Sequence, residues 1–133
     1  EVRTGYLTER ELRTLQNASA FHICTSLTEG WGHYIVEALS VGAVTITVDA
    51  PPMNELVTAQ RGVLVPYGRA GLQRLAATYE FDERGFEAAI SRTLEMSDAE
   101  CARLGTNARN WFVRNKEAFT GRLDAALRAA LSR

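Results

Sequence analysis

No stretch of the sequence stays apolar for the roughly 18 residues that a bilayer-spanning helix needs, and no charged-then-apolar leader opens it. Nothing therefore predicts a membrane span or an export signal, and the cytoplasm is the default compartment. Cysteine is scarce: Cys24 lies in an apolar run and Cys101 in a helical pattern, with neither a CxxC nor a neighbouring histidine, so disulfide and metal roles lack support. No Asp-x-Asp pair offers two hard ligands to a divalent cation, and no metal or other cofactor is expected. A charge surplus is also missing. The net charge of -1 excludes bulk electrostatic capture of nucleic acid or anionic lipid, although residues 1–83 hold 6 arginines against 10 acids and residues 84–133 hold 9 Lys+Arg against 6 acids. Internal repeats and low-complexity segments are absent.

What is present suits one soluble globular domain. The 133 residues are 46% hydrophobic and 23% charged, enough for a core and too short for two full domains. Thr8 and Glu11 have capping-box spacing, and Leu12 and Leu15 continue a helical stripe, predicting a helix over about 9–18. The runs 20-AFHIC-24, 44-VTITV-48 and 61-RGVLV-65 read as strands. Between the first two, 33-HYIVEALSV-41 is apolar almost all round and ends at Gly42, which predicts a buried helix; 53-MNELVT-58 supplies about one further turn. Strand, helix, strand, helix, strand with unbroken apolar strands predicts a parallel, Rossmann-like α/β sheet with flanking helices. From residue 83 onward three helices are expected, at 86–96, from 97 to about 116, and at 118–133, with Trp111, Phe112 and Phe119 as core. Residues 66–85 have no clear pattern and read as a surface excursion. The chain opens at Glu1 into a strand-like 2-VRTGY-6 without an initiator methionine, as a piece of something longer would.

The stretch 29-EGWGHYIVE-37 carries the chemistry. In an open α/β sheet ligands bind where strands turn into helices, and residues 25–33 occupy such a turn. Gly30 and Gly32 permit close backbone approach, and the free amides at the start of the next helix favour an anion, phosphate above all. Glu37 is the only charged side chain from Tyr34 through Val48. A carboxylate in so apolar a segment is either on the helix's one wet stripe or in use. Two carboxylates on one rim can accept hydrogen bonds from several hydroxyls, which suits sugars and ribose.

The run 24-CTSLTEGWGHYIVEALSVGAVTITVDAPPMNELV-57, continued by 62-GVLVP-66 and preceded by 5-GYLTERELRTLQNASAFHIC-24, resembles the donor-binding core of retaining glycosyltransferases of the GT-B fold, family 4, with Glu29 and Glu37 as its E-x7-E signature. The likeness covers about residues 5–66. It implies a partial C-terminal, donor-binding domain spanning 1–133, whose substrate is a nucleotide-diphosphate sugar. Glu29 would touch the transferred sugar as the catalytic carboxylate, helped by the amides of Gly30, Trp31 and Gly32. The amides of His33, Tyr34 and Ile35 would face the diphosphate, and Glu37 would hold the ribose hydroxyls. Asn54 and Glu55 match a second loop, but Pro51 and Pro52 stand in its usually glycine-rich turn and remove two amide donors.

In that family a basic Arg and Lys pair and the acceptor domain lie upstream of where this chain begins. The resemblance therefore implies that the chain needs an N-terminal acceptor domain or partner chain and is inactive alone, and it allows peripheral membrane association of the whole enzyme. Catalysis in such enzymes relies on stabilising the leaving diphosphate, so a two-carboxylate glycosidase geometry is disfavoured. A non-catalytic Rossmann-like nucleotide-binding or interaction module, and a flavodoxin-like signalling domain, are the alternatives.

Overall fold

The structure is a computed structural model that describes residues 4–132. Ten elements follow in order: α1 (Glu9–Ala18), β1 (Phe21–Cys24), α2 (His33–Ser40), β2 (Val44–Val48), α3 (Met53–Leu56), β3 (Gly62–Val65), β4 (Tyr67–Gln73), β5 (Ala76–Phe81), α4 (Glu83–Leu94) and α5 (Asp98–Leu131). The expected α/β architecture is present. β1, β2 and β3 form a parallel sheet in that order, with Ile23, Ile46 and Val63 in one row across it.

Every residue of β2 is buried, which explains an unbroken β-branched run in place of an alternating one. Its two threonines keep their hydroxyls satisfied inside: Thr47 donates to the Cys24 carbonyl at 2.7 Å. One apolar cluster joins Cys24 and Val48 to Ile35 and Leu39 of α2, Met53 and Leu56 of α3, and Ala108 of α5. A second joins Val44, Ile46, Val63 and Val65 to Ala89 of α4 and Leu104 of α5. The sheet is thus clasped by α2 and α3 at one cluster and by α4 at the other, with α5 reaching both.

The helix starts follow their caps. Thr8 and Glu11 form the reciprocal capping box of α1, with the Thr8 amide donating to Glu11 at 2.8 Å. Ser97 caps α5 by accepting from the Glu100 amide at 3.2 Å. Asp82 caps α4 through the Gly85 amide at 2.7 Å, so this helix begins at Glu83, three residues before the expected start.

Several expectations are corrected. Residues 66–85 lie at the surface but have regular structure: they contain an antiparallel hairpin, β4 and β5, pairing Tyr67 with Phe81 out to Gln73 with Ala76. Its turn lacks the Asn-Gly or Gly-Gly signal that announces such hairpins, since Arg74 takes the positive φ of 58°. The two helices expected over 97–116 and 118–133 are one, α5, because no proline, cap or αL glycine interrupts the helical pattern between them. Phe119 is not core but 58% exposed, and Trp111 and Phe112 are half-buried. The stripe on α1 is left partly uncovered by the described residues: Leu12 and Leu15 are both exposed. β1 is likewise less covered than expected, with Phe21 and Ile23 exposed. The strand-like stretch 2–6 begins outside the described residues, and Thr4 to Tyr6 form no strand.

α2 and α5 cross where two glycines meet. Gly42 ends α2 at φ +73°, and a Cβ on Gly105 would lie 2.3 Å from the Gly42 carbonyl oxygen. Backbone on both sides leaves no room to yield. Gly105→Ala is expected to lower unfolding stability by about 2–3 kcal/mol, read as a fall in the urea midpoint at unchanged slope; a wild-type midpoint would show that the helices can separate freely.

Candidate functional site

The loops at the carboxyl ends of β1, β2 and β3 converge. Residues 25–32 leave β1, 49–52 leave β2, and Pro66 leads from β3 into the hairpin. The Asp49 amide donates to the Val65 carbonyl at 2.7 Å, and the Tyr79 amide of β5 donates to the Leu27 carbonyl at 2.7 Å. The hairpin thereby straps the first loop. Tyr79 also stacks edge-on against Tyr67, centroids 5.1 Å apart, and packs against the first apolar cluster.

Gly32 is the residue on which the first loop turns. It is buried, adopts φ +80° and serves as the N-cap of α2; a Cβ there would stand 3.0 Å from Leu56 and 3.2 Å from Ile35. Because glycine offers no capping side chain, the first-turn amides of α2 are left to other acceptors. Gly30 differs: it is exposed, has open space around its Cα and does not use a positive φ, so this chain alone imposes no demand for glycine there.

Glu29 and Tyr34 are brought together by a residue that the sequence reading passed over. Ser26 donates to Glu29 Oε1 at 2.6 Å, and Tyr34 Oη shares a hydrogen bond with Ser26 Oγ. The phenol lies across the loop from the carboxylate and fixes its direction through the serine. Burial pushes the Tyr34 hydroxyl above its usual pKa, against the pull of the Ser26 hydrogen bond, so the phenol stays neutral and able to donate. Spacing held the clue: a serine three residues before the glutamate in a tight loop is placed to bond it.

Glu37 engages a separate set of neighbours. Its side chain leaves the exposed face of α2, and Gln16 Nε2 of α1 donates to Glu37 Oε2 at 2.7 Å. The carboxylate lines a crevice of about 590 Å³ between α1 and α2, shared with Arg13, Gln16, Ser40 and Arg109. Arg109 reaches from α5 to donate to the Ser40 carbonyl. No sequence signal tied Gln16 or Arg109 to Glu37, because both contacts depend on how helices cross. Trp31 and His33 are exposed at the loop, while Ile35 is fully buried.

At the second loop Asn54 donates to Asp49 Oδ1 at 3.0 Å, and Glu55 is exposed. Arg61 donates to the Leu56 and Glu55 carbonyls at 2.7 and 3.0 Å and lies 4.9 Å over the Trp111 ring, so it clamps α3 to α5. Arg69 pairs with Glu80 on the hairpin at 3.5 Å. His22 bonds the Gln16 carbonyl at 3.1 Å, a structural contact between β1 and α1. Among the described residues no group of three or more His, Cys, Asp or Glu is placed to hold a metal ion, and no helix is long and apolar enough to cross a membrane.

The parallel sheet and the glycine-turned strand-to-helix loop define an α/β chain of the kind that binds ligands at its strand ends, and comparison with known proteins gives its family. The family model for glycosyl transferases group 1 matches residues 3–111, and the chain belongs to that family. A GDP-mannose:cellobiosyl-diphosphopolyprenol alpha-mannosyltransferase of Xanthomonas campestris is 36% identical over 84 residues, covering 57% of this chain and 22% of the relative. Its counterpart in Xanthomonas oryzae pv. oryzae is 38% identical over 58 residues, covering 43% of this chain and 15% of the relative. Among solved structures, a sucrose-phosphate synthase from Thermosynechococcus elongatus superimposes with a TM-score of 0.70 at 25% identity, over 96% of this chain and 30% of that one. The chain therefore spans less than a quarter of the curated relatives it matches.

Burial, and then the nearby Glu29 carboxylate, pushes the Cys24 thiol from 9.0 up to about 12. The folded state binds this proton more tightly than the unfolded chain. The resulting stability is present below pH 9.0 and is lost as pH rises toward 12. Iodoacetamide at mildly alkaline pH is expected to label the half-buried Cys101 in the native protein and Cys24 only after unfolding; rapid native labelling of Cys24 would show that its thiol is accessible and ionised.

Proposed function

We propose that this chain is the nucleotide-sugar-binding part of a retaining, family 4 glycosyltransferase, a partial C-terminal domain that works in the cytoplasm with an acceptor-binding domain or partner chain and does not transfer sugar alone. The observation that carries the reading is the hinge at Gly32: φ +80° ends one loop and opens α2 with uncapped amides, with Glu29 on one side and Glu37 on the other. Family membership supplies the chemistry that such a hinge can serve.

In this reading the amides of His33, Tyr34 and Ile35, with the positive end of the α2 dipole, take up the diphosphate charge that grows as the glycosidic bond breaks, in place of a metal. Glu29 accepts hydrogen bonds from hydroxyls of the transferred sugar, with Gly30, Trp31 and Gly32 beside it. Its carboxylate is already aimed by Ser26. Glu37 holds the ribose hydroxyls and exchanges its Gln16 contact for them. Asn54 and Glu55 border the site from the second loop without bonding the donor directly. The relatives' names make GDP-mannose the first donor to try.

The outer part of α5 fits the need for another domain. Phe119, Leu123, Leu127 and Leu131 recur every four residues and are 45–87% exposed, an apolar stripe that the described residues leave uncovered. We assign it, with the uncovered stripe of α1, to packing against the remainder of the enzyme.

Calorimetric titration of the full-length protein with GDP-mannose and with UDP-glucose tests the reading. Saturable binding of one donor is expected. Glu37→Gln should weaken it about 10- to 100-fold, the range for a charged hydrogen-bond acceptor, while Glu29→Gln should lower kcat more than it raises KM. Wild-type donor affinity and turnover in both variants would refute the assignment.

A further inference from the structure

Glu29 stands in a loop whose two halves differ in how firmly they are held. The inner half is tethered on both sides of Ser26: the Cys24 carbonyl accepts from the Thr47 hydroxyl at 2.7 Å, and the Leu27 carbonyl accepts from the Tyr79 amide at 2.7 Å. The outer half is looser. Gly30, next to Glu29, is exposed with open space around it, so no packing there sets where the carboxylate points. Its direction rests on the Ser26 hydroxyl, which donates to Oε1 at 2.6 Å.

Counting protons gives this contact a direction. A carboxylate only accepts and a serine hydroxyl has one proton to donate, so the Ser26 proton lies on Glu29 and the phenol is the donor in the bond between Tyr34 and Ser26. The relay runs from Tyr34 through Ser26 and ends on one oxygen of Glu29. Among the described residues no hydrogen bond reaches the other, Oε2. Tyr34 is the second residue of α2, and a side chain in the first turn of a helix leans back over the chain before it, which lets this phenol meet a serine eight positions earlier. Burial holds the phenol protonated, as a donor must be.

We propose that the Tyr34 hydroxyl is a positioning group for sugar transfer: by fixing Ser26 it holds Glu29 Oε1 against the loop and leaves Oε2 turned to a hydroxyl of the transferred sugar. This role rests on the sugar-nucleotide reading of the site and is separate from that of the Tyr34 amide, which faces the diphosphate there. Without the phenol, the Ser26 hydroxyl is free to rotate toward water. Glu29 then samples several directions, and a smaller fraction of the bound donor has the reacting geometry. Such a loss falls on kcat more than on donor affinity, because the amides of α2 and Glu37 keep their contacts.

The full-length protein tests this with GDP-mannose and UDP-glucose as donors, affinity being read by calorimetry and turnover as release of nucleoside diphosphate. Tyr34→Phe keeps the ring and the amide and removes only the hydroxyl. Its kcat is expected to fall about three- to tenfold with donor affinity at the wild-type level. Ser26→Ala should lower kcat about ten- to hundredfold, and adding Tyr34→Phe should then have no further effect, since the relay is already cut. Ser26→Thr retains the hydroxyl and should retain most of the turnover. Wild-type kcat in Tyr34→Phe, losses that multiply in the double variant, or a fall in affinity that matches the fall in kcat would overturn the role of Tyr34 and leave the donor site standing. A wild type that binds neither donor would instead remove the sugar-nucleotide reading, and the relay's role with it.

Discussion

Burial of β2 on every side is the constraint from which the rest follows. A strand with no face toward water must satisfy each of its polar groups inside, and it does so through parallel ladders to β1 and β3 and through Thr47 on the Cys24 carbonyl. Parallel pairing brings three strands to one end of the sheet together. It also forces the chain to leave each of them through a loop, and two of those loops become the rim on which Glu29 and Asp49 stand.

The rim is shaped by backbone more than by side chains. Gly32 accepts a left-handed conformation between a buried strand end and a buried helix face, pressed against Leu56 and Ile35. The first-turn amides of α2 then meet no capping side chain. Around that hinge the charges have separate supports: Ser26 and the neutral Tyr34 phenol for Glu29, and Gln16 for Glu37. Burial raises the Cys24 thiol beneath the loop, while the Tyr34 phenol stays partly open to solvent.

Much of the sheet was legible because its signals are local. Thr8 with Glu11, Gly42 after α2 and the β-branched 44–48 each report their conformation within a few residues. The hairpin was not, since its strands are polar or small, its turn uses Arg74 where glycine is usual, and its stability comes from Tyr79 and Phe81 packing onto a distant cluster. Phe119 was expected in the core from its helical spacing, and a core residue needs a neighbour that the described residues do not supply. Within the site, the positions of Glu29, Gly32 and Glu37 were visible as a spacing, whereas Ser26, Gln16 and Arg109 were not: contacts between elements leave no fixed interval in the chain.

The sequence by itself determined which segments form the three parallel strands and where a glycine must open a helix, because hydrophobic periodicity, capping and positive φ act over a few residues. Tertiary structure alone decided that Tyr79 should strap the Leu27 loop, that α2 and α5 should touch at Gly42 and Gly105, and that Glu37 should face α1, since each is a meeting of surfaces set by packing over long separations.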